Sequence, residues 1–176
     1  LPQALRAVAG IEGEALFARH GIHGTKVQAI TERADVGKGV FYNYFASKND
    51  LVAELLAEAV SVLDRDYLAR LEQTRPLRER VAGIIELHEA FFREHLLFAV
   101  LFHQARGLLQ GPKGRPDGER IERVFRDYLT CVGQVIPHAS ERQAWATEDL
   151  LDAAAAITGT VSGNRTLRIA AALPGD

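Results

Sequence analysis

The chain has 176 residues, 47% of them hydrophobic and 25% charged, with a formal net charge of −2. That length accommodates one larger domain, or a small module beside a mid-sized one, and it can bury a sizeable core. The composition excludes a disordered chain, no apolar run approaches the roughly 20 residues that cross a bilayer, and the slight negative charge excludes a generally basic nucleic-acid binder.

Leu1 comes first and the chain contains no methionine, so the expectation is a sequence trimmed at its ends. Apolar residues recur at spacings of three and four, and no alternating β-branched run is bounded by turn dipeptides, which predicts an all-α fold. The first helix is expected over about Gln3 to His20, stopped by Gly21, with Gly10 and Gly13 each weakening it by roughly 1 kcal/mol relative to alanine. Thr25 then opens a short helix as a capping box, TKVQ, in which Gln28 reaches back; Val27, Ile30 and Ala34 form its inward face. Within DVGKG, Gly37 supplies a flexible turn, and a second short helix follows from about Lys38 to Phe45. Ser47 and Asp50 in SKND cap the next helix, which carries Leu51, Leu55, Ala59, Val62 and Leu63 inward and runs to about Glu72.

Pro76 marks a restart, since proline is favoured at the first helical position. The new helix has Leu77, Val81, Ile84, Ile85, His88, Phe91 and Phe92 on one stripe, with a break expected near Glu94 to Leu96 and a continuation to about Leu108. QGPKGRPDG, Gln110 to Gly118, reads as a loop. Ile121, Val124, Phe125, Tyr128, Leu129, Val132 and Ile136 mark another amphipathic helix, ended by Pro137. The last helix is expected from Ser140 through Trp145 toward Leu173, with small residues from Ala153 to Ala156 and at Gly159 and Gly163 that permit close helix contact. A lone Cys131 cannot form an intramolecular disulfide; within an apolar pattern it reads as a small buried hydrophobe of a cytoplasmic protein.

One window stands apart. Thr31 to Leu51, TERADVGKGVFYNYFASKNDL, holds Phe41, Tyr42, Tyr44 and Phe45 within five residues and has no acid between Asp35 and Asp50. Two short helices joined by a glycine turn and preceded by a supporting helix make a helix-turn-helix, whose second helix enters the DNA major groove. Residues 1–50 carry 6 basic and 5 acidic side chains, a net +1, against −3 for the remainder, so an anion-facing end falls at the N-terminus. Phe41 and Phe45, four apart, face inward. Lys38, Val40 and Asn43 are the candidates for base contact, while Gly39 keeps the backbone close to DNA. Tyr42, Tyr44 and Lys48 are the candidates for phosphate contact, and Thr25, Val27 and Gln28 flank the groove from the first short helix.

The span Gly21 to Leu51, GIHGTKVQAITERADVGKGVFYNYFASKNDL, together with Leu16 and Phe17, resembles the signature of the tetracycline-repressor (TetR) family of bacterial transcription regulators. Asp35 stands where that family commonly has glycine, Gly37 where it has serine, and Thr31 where it has alanine. The resemblance implies an N-terminal three-helix DNA-binding domain, 1–46, joined to a helical domain, 47–176, that binds a small ligand and dimerises. It also implies a cytoplasmic repressor released from a palindromic operator by an effector. The unbroken SKNDLVAELLAEAV run predicts mechanical coupling between the two parts. A protein of the same fold controlled by a protein partner instead of a small molecule is the alternative.

For the effector, an apolar or aromatic molecule, the candidate contacts are His88, Phe92, Phe102, His103, Phe125, Tyr128 and Trp145, with ordinary core packing as the competing role for each ring. His88 and His95 are seven residues apart, about 10.5 Å of helical rise, where a shared ion prefers four, so no metal ligand is expected. Glu86 and Glu89 beside His88 come with no nucleophile motif, phosphate loop or cofactor fingerprint. Neither a catalytic residue nor a cofactor is assigned, and the chain is read as a non-enzyme.

Overall fold

The computed structural model describes residues 2–72, 74–109, 116–138, 140 and 144–172. Among them there are eight α-helices and no strand: α1 (Pro2–Gly24), α2 (Val27–Arg33), α3 (Lys38–Tyr42), α4 (Lys48–Val62), α5 (Leu77–Glu94), α6 (Leu96–Leu108), α7 (Pro116–Val135) and α8 (Thr147–Ala172). The all-α expectation therefore holds, and so does the break after Glu94. Several boundaries move. The first helical run does end at Gly21, in a non-helical conformation with φ 74° and ψ 161°, and a further short turn beyond this break completes α1. Beyond Val62 the chain widens into a π-helical turn, Leu63–Tyr67, and then tightens into a 3-10 turn, Leu68–Arg70. The last helix starts at Thr147, leaving Trp145 outside it. Most of the expected loop at Gln110 to Gly118 lies outside the described residues, but Pro116 already belongs to α7, consistent with proline at a first helical position.

The chain forms two compact units, Leu1–Val60 with His95–Phe125, and Ser61–Glu94 with Arg126–Asp176. In the first, α6 lies against α1, and the core is built on Leu16, Phe17, Ile30, Phe41, Phe45, Leu51, Leu56 and Leu101. The glycines of α1 have a packing role: a Cβ on Gly13 would stand 2.9 Å from Leu51 Cδ2, and one on Gly10 would stand 3.3 Å from Leu55 Cδ2. Glycine's low helix propensity is thus exchanged for close approach of α1 to α4. Asp50, at the start of α4, and Glu54, one turn on, both accept from the guanidinium of Arg120 on α7.

In the second unit α5 packs on α8, around Ile84, Phe91, Tyr128, Val132, Ala154 and Val161. Tyr67, in the π turn, donates to Glu94 Oε2 at 2.5 Å and meets Phe91 edge-on at 5.2 Å; that hydrogen bond to the carboxylate raises the phenol's pKa above its ordinary value. A Cβ on Gly133 would stand 3.1 Å from the carbonyl oxygen of Leu150, so α7 and α8 meet backbone to backbone there. Cys131 is half-buried, not fully so, and burial pushes its thiol up to about 12. No helix of the described residues is long and apolar enough to cross a membrane.

Candidate nucleic-acid interface

α2 and α3 are too short to persist alone, and tertiary packing has to hold them. Ile30 and Thr31 supply the buried face of α2, with Thr31 donating back to the carbonyl of Gln28 at 2.9 Å. α3 is anchored by Phe41, 2% exposed, and Phe45, 1% exposed, whose ring centroids lie 5.1 Å apart. Opposite them Lys38, Gly39, Tyr42 and Asn43 are exposed, while Val40 and Tyr44 are half-buried. Tyr42 stands 56% exposed with its ring edge-on to Phe41 at 5.4 Å. One side of the short helix is therefore core and the other is open, with no acidic side chain on α3 itself.

The turn is made differently from its sequence reading. Gly37 is extended, with φ −71° and ψ 149°, and serves as N-cap of α3. The left-handed residue is Asp35, φ 50°, at the position where glycine is common in the family that the chain resembles; aspartate is among the few side chains that tolerate this region.

The TKVQ capping box does not form. Lys26 is the N-cap of α2 and makes no side-chain cap. Thr25 is 3% exposed, and its hydroxyl donates to the carbonyls of Gly21 at 2.8 Å and Leu16 at 3.3 Å. The pattern is locally that of a cap, but the carbonyls at the break in α1 capture the hydroxyl first. Gln28 does not reach back either: its amide donates to Glu32 Oε1 and accepts from Lys38 Nζ, bridging α2 to α3. Val27 is half-buried. Ser47 and Asp50 do cap α4, Ser47 Oγ accepting from the amide of Asp50 while Asp50 Oδ2 accepts from that of Ala46.

Lys48, the first residue of α4, is half-buried. Its ammonium donates to the carbonyls of Thr25 and His23, and partial burial lowers its pKa. Sequence reasoning passed over Lys26, exposed at the start of α2, whose only signal was its place beside Thr25. It also passed over Gln104, whose side chain reaches α1 from 82 residues away.

The effector candidates separate. His88, Phe92 and Tyr128 meet in the second unit, with ring centroids 6.3 Å and 5.8 Å from His88. His88 is fully buried. Its Nδ1 donates to the carbonyl of Ile84 at 2.8 Å, so the lone pair sits on Nε2, which has no hydrogen-bond partner among the described residues. Burial lowers its pKa. Trp145, in the same unit, is half-buried. Phe102 and Phe125 stack at 4.7 Å in the first unit, whereas His103 is exposed on α6. Among the described residues no three His, Cys, Asp or Glu side chains gather as a metal site requires.

Residues 12–55 match the model of the bacterial regulatory proteins of the tetR family. The chain is 39% identical over 80 residues to the HTH-type transcriptional repressor DhaR of Mycobacterium sp. (strain GP1), covering 43% of this chain and 40% of that protein. It is 30% identical over 100 residues to the HTH-type transcriptional repressor KstR2 of Mycobacterium tuberculosis, covering 56% of this chain and 50% of that one. The matched part thus spans half or less of these relatives' own length. The fold is shared with the transcriptional regulator FadR from Bacillus subtilis, solved in complex with stearoyl-CoA, at TM-score 0.71 and 18% identity over 93% of this chain and 86% of that one. It is shared also with the fatty acid degradation regulator FadR from Bacillus halodurans, at TM-score 0.68 and 19% identity over 89% and 83%. The likeness to the tetR family of bacterial regulatory proteins thus covers the N-terminal module, 12–55, and the likeness to the solved regulators covers the helical fold of the chain.

Proposed function

We propose that the chain is a homodimeric transcriptional repressor that reads a palindromic operator through α3 and leaves it when a small apolar effector binds. The observation that carries this reading is the division of the segment 38–45, α3 and the turn that follows it, between Phe41 and Phe45, buried, and Lys38, Gly39, Tyr42 and Asn43, exposed. Lys38, Val40 and Asn43 address bases, with Gly39 admitting the backbone to the groove; Tyr42 and Tyr44 address phosphates, flanked by Val27, Gln28 and Lys26. Thr25 and Lys48 act from behind, fixing the approach to α2. In a dimer the two copies of α3 enter successive major grooves about 34–36 Å apart.

The functional division falls at residue 46, with 47–176 serving dimerisation and effector binding. α7 and α8, in close contact at Gly133, are the helices proposed to meet the second copy. His88, Phe92 and Tyr128 are proposed to contact the effector, His88 supplying the polar atom in an aromatic surround. Because the FadR fold relative was solved with stearoyl-CoA, long-chain acyl thioesters are the first class to try. The activity proposed is binding, with no reaction catalysed.

Selection of bound duplexes from a random-sequence pool tests the reading. A recovered sequence with two inverted half-sites about one helical turn apart is expected, with its preference relaxed by Asn43→Ala. Recovery of no sequence at all refutes DNA recognition. Retention of the duplex in the presence of every apolar ligand, with release by a protein fraction, moves control to a protein partner.

A further inference from the structure

α1 is broken at Gly21, whose ψ of 161° turns the following amide out of the helical ladder. Nothing lies within 4 Å of where a Cβ at Gly21 would stand, so crowding does not impose the break. Polar groups hold it. The amide of Ile22, just past the break, donates to Gln104 Oε1 at 3.0 Å, and Gln104 Nε2 donates to the carbonyl of Phe17, one turn before it, at 3.2 Å. Ile22 is 2% exposed and Phe17 fully buried, so water is a poor substitute for either bond. A single side-chain amide on α6 therefore joins a donor on one side of the break to an acceptor on the other. Only the primary amide does both: a carboxylate would repel the Phe17 carbonyl, and a thioether would offer nothing to either group.

We infer that Gln104 is a positioning residue for DNA recognition, setting the angle at which the segment bearing α2 and α3 leaves α1. Only three residues separate Ile22 from Lys26, the N-cap of α2, and Thr25 and Lys48 bind the same short joint. The orientation of the exposed α3 face follows from this joint. The functional half of the inference rests on the DNA-binding reading; the geometric half does not.

Two measurements on the full chain test it, with Gln104→Met and Gln104→Glu. The first is the distance between spin labels on Glu32→Cys in α2 and Arg106→Cys in α6, both exposed, in a Cys131→Ser background diluted with unlabelled protein. A narrow distribution is expected with Gln104 and a broadened one in both variants. The second compares binding to a duplex recovered by the wild-type chain with binding to bulk genomic DNA. The loss of both part-buried hydrogen bonds in Gln104→Met, and of the one to Phe17 in Gln104→Glu, is expected to weaken the former, by about tenfold for Gln104→Met, while the latter is unchanged. An unaltered distance distribution, or an unaltered preference for the recovered duplex, overturns the inference. If the wild-type chain recovers no duplex, the DNA-binding reading is what falls, and the label distances still decide whether Gln104 holds the joint.

Discussion

The ammonium of Lys48, at the first position of α4, donates to the carbonyl of Thr25 at 2.7 Å. This bond ties α4 to the segment that leads into α2, and a second, longer contact reaches His23. A lysine that reads as a phosphate ligand in sequence is thus also a brace within the protein. Lys48→Met keeps the apolar stem and removes the donors; it is expected to lower unfolding stability by about 1 kcal/mol, since charged donors to carbonyls exceed neutral ones but this site is only partly buried. Urea titration in the absence of DNA measures it, and an unchanged midpoint would leave Lys48 with no bracing role.

Gly13 sets the approach of α1 to α4. Its alanine variant gains helix propensity but places a methyl against Leu51, itself 1% exposed. Overpacking of this kind typically costs about 1–3 kcal/mol, more than the roughly 1 kcal/mol of propensity gained. Thermal unfolding of Gly13→Ala should show net destabilisation; a gain in stability would mean that α4 yields freely.

At Asp35 the opposite sign is expected. A left-handed non-glycine residue carries strain, and Asp35→Gly should relieve roughly 0.5 kcal/mol after the added freedom of the unfolded chain is counted. Calorimetry reads the change, and a lower melting temperature would contradict it.

His88 makes stability depend on pH. Burial holds its pKa in the folded chain below the ordinary imidazole value. As pH falls through the unfolded value, the unfolded chain takes up a proton that the folded chain refuses, so stability declines with falling pH until the folded imidazole also titrates. His88→Phe should flatten that part of the urea-midpoint profile relative to wild type. Equal slopes for the two chains below pH 6.5 would show that His88 is not the group responsible.

The parts of the fold legible in sequence were those governed by local rules. The 3.6-residue periodicity fixes the helix class, Pro76 the start of α5, SKND the cap of α4, and the four-residue spacing of Phe41 and Phe45 the inward side of α3. What was not legible depended on distant groups. TKVQ has the form of a capping box, yet Thr25 is claimed by the carbonyls of Gly21 and Leu16. Gly10 and Gly13 weaken a helix in isolation and become intelligible only beside Leu55 and Leu51. His103 is separated by eight residues from His95 and sits in an aromatic run, but its helix turns it to solvent. Gln104 carries no signal at all, because its partners are backbone groups 82 and 87 residues away.

The five-residue span of α3 has an evolutionary corollary. Phe41 within it and Phe45 just after it fasten the element from beneath, so folding places little demand on the residues along its crest. Those positions are free to mutate without endangering the scaffold, and the preferred target of such a module can drift between descendants much faster than the architecture that displays it.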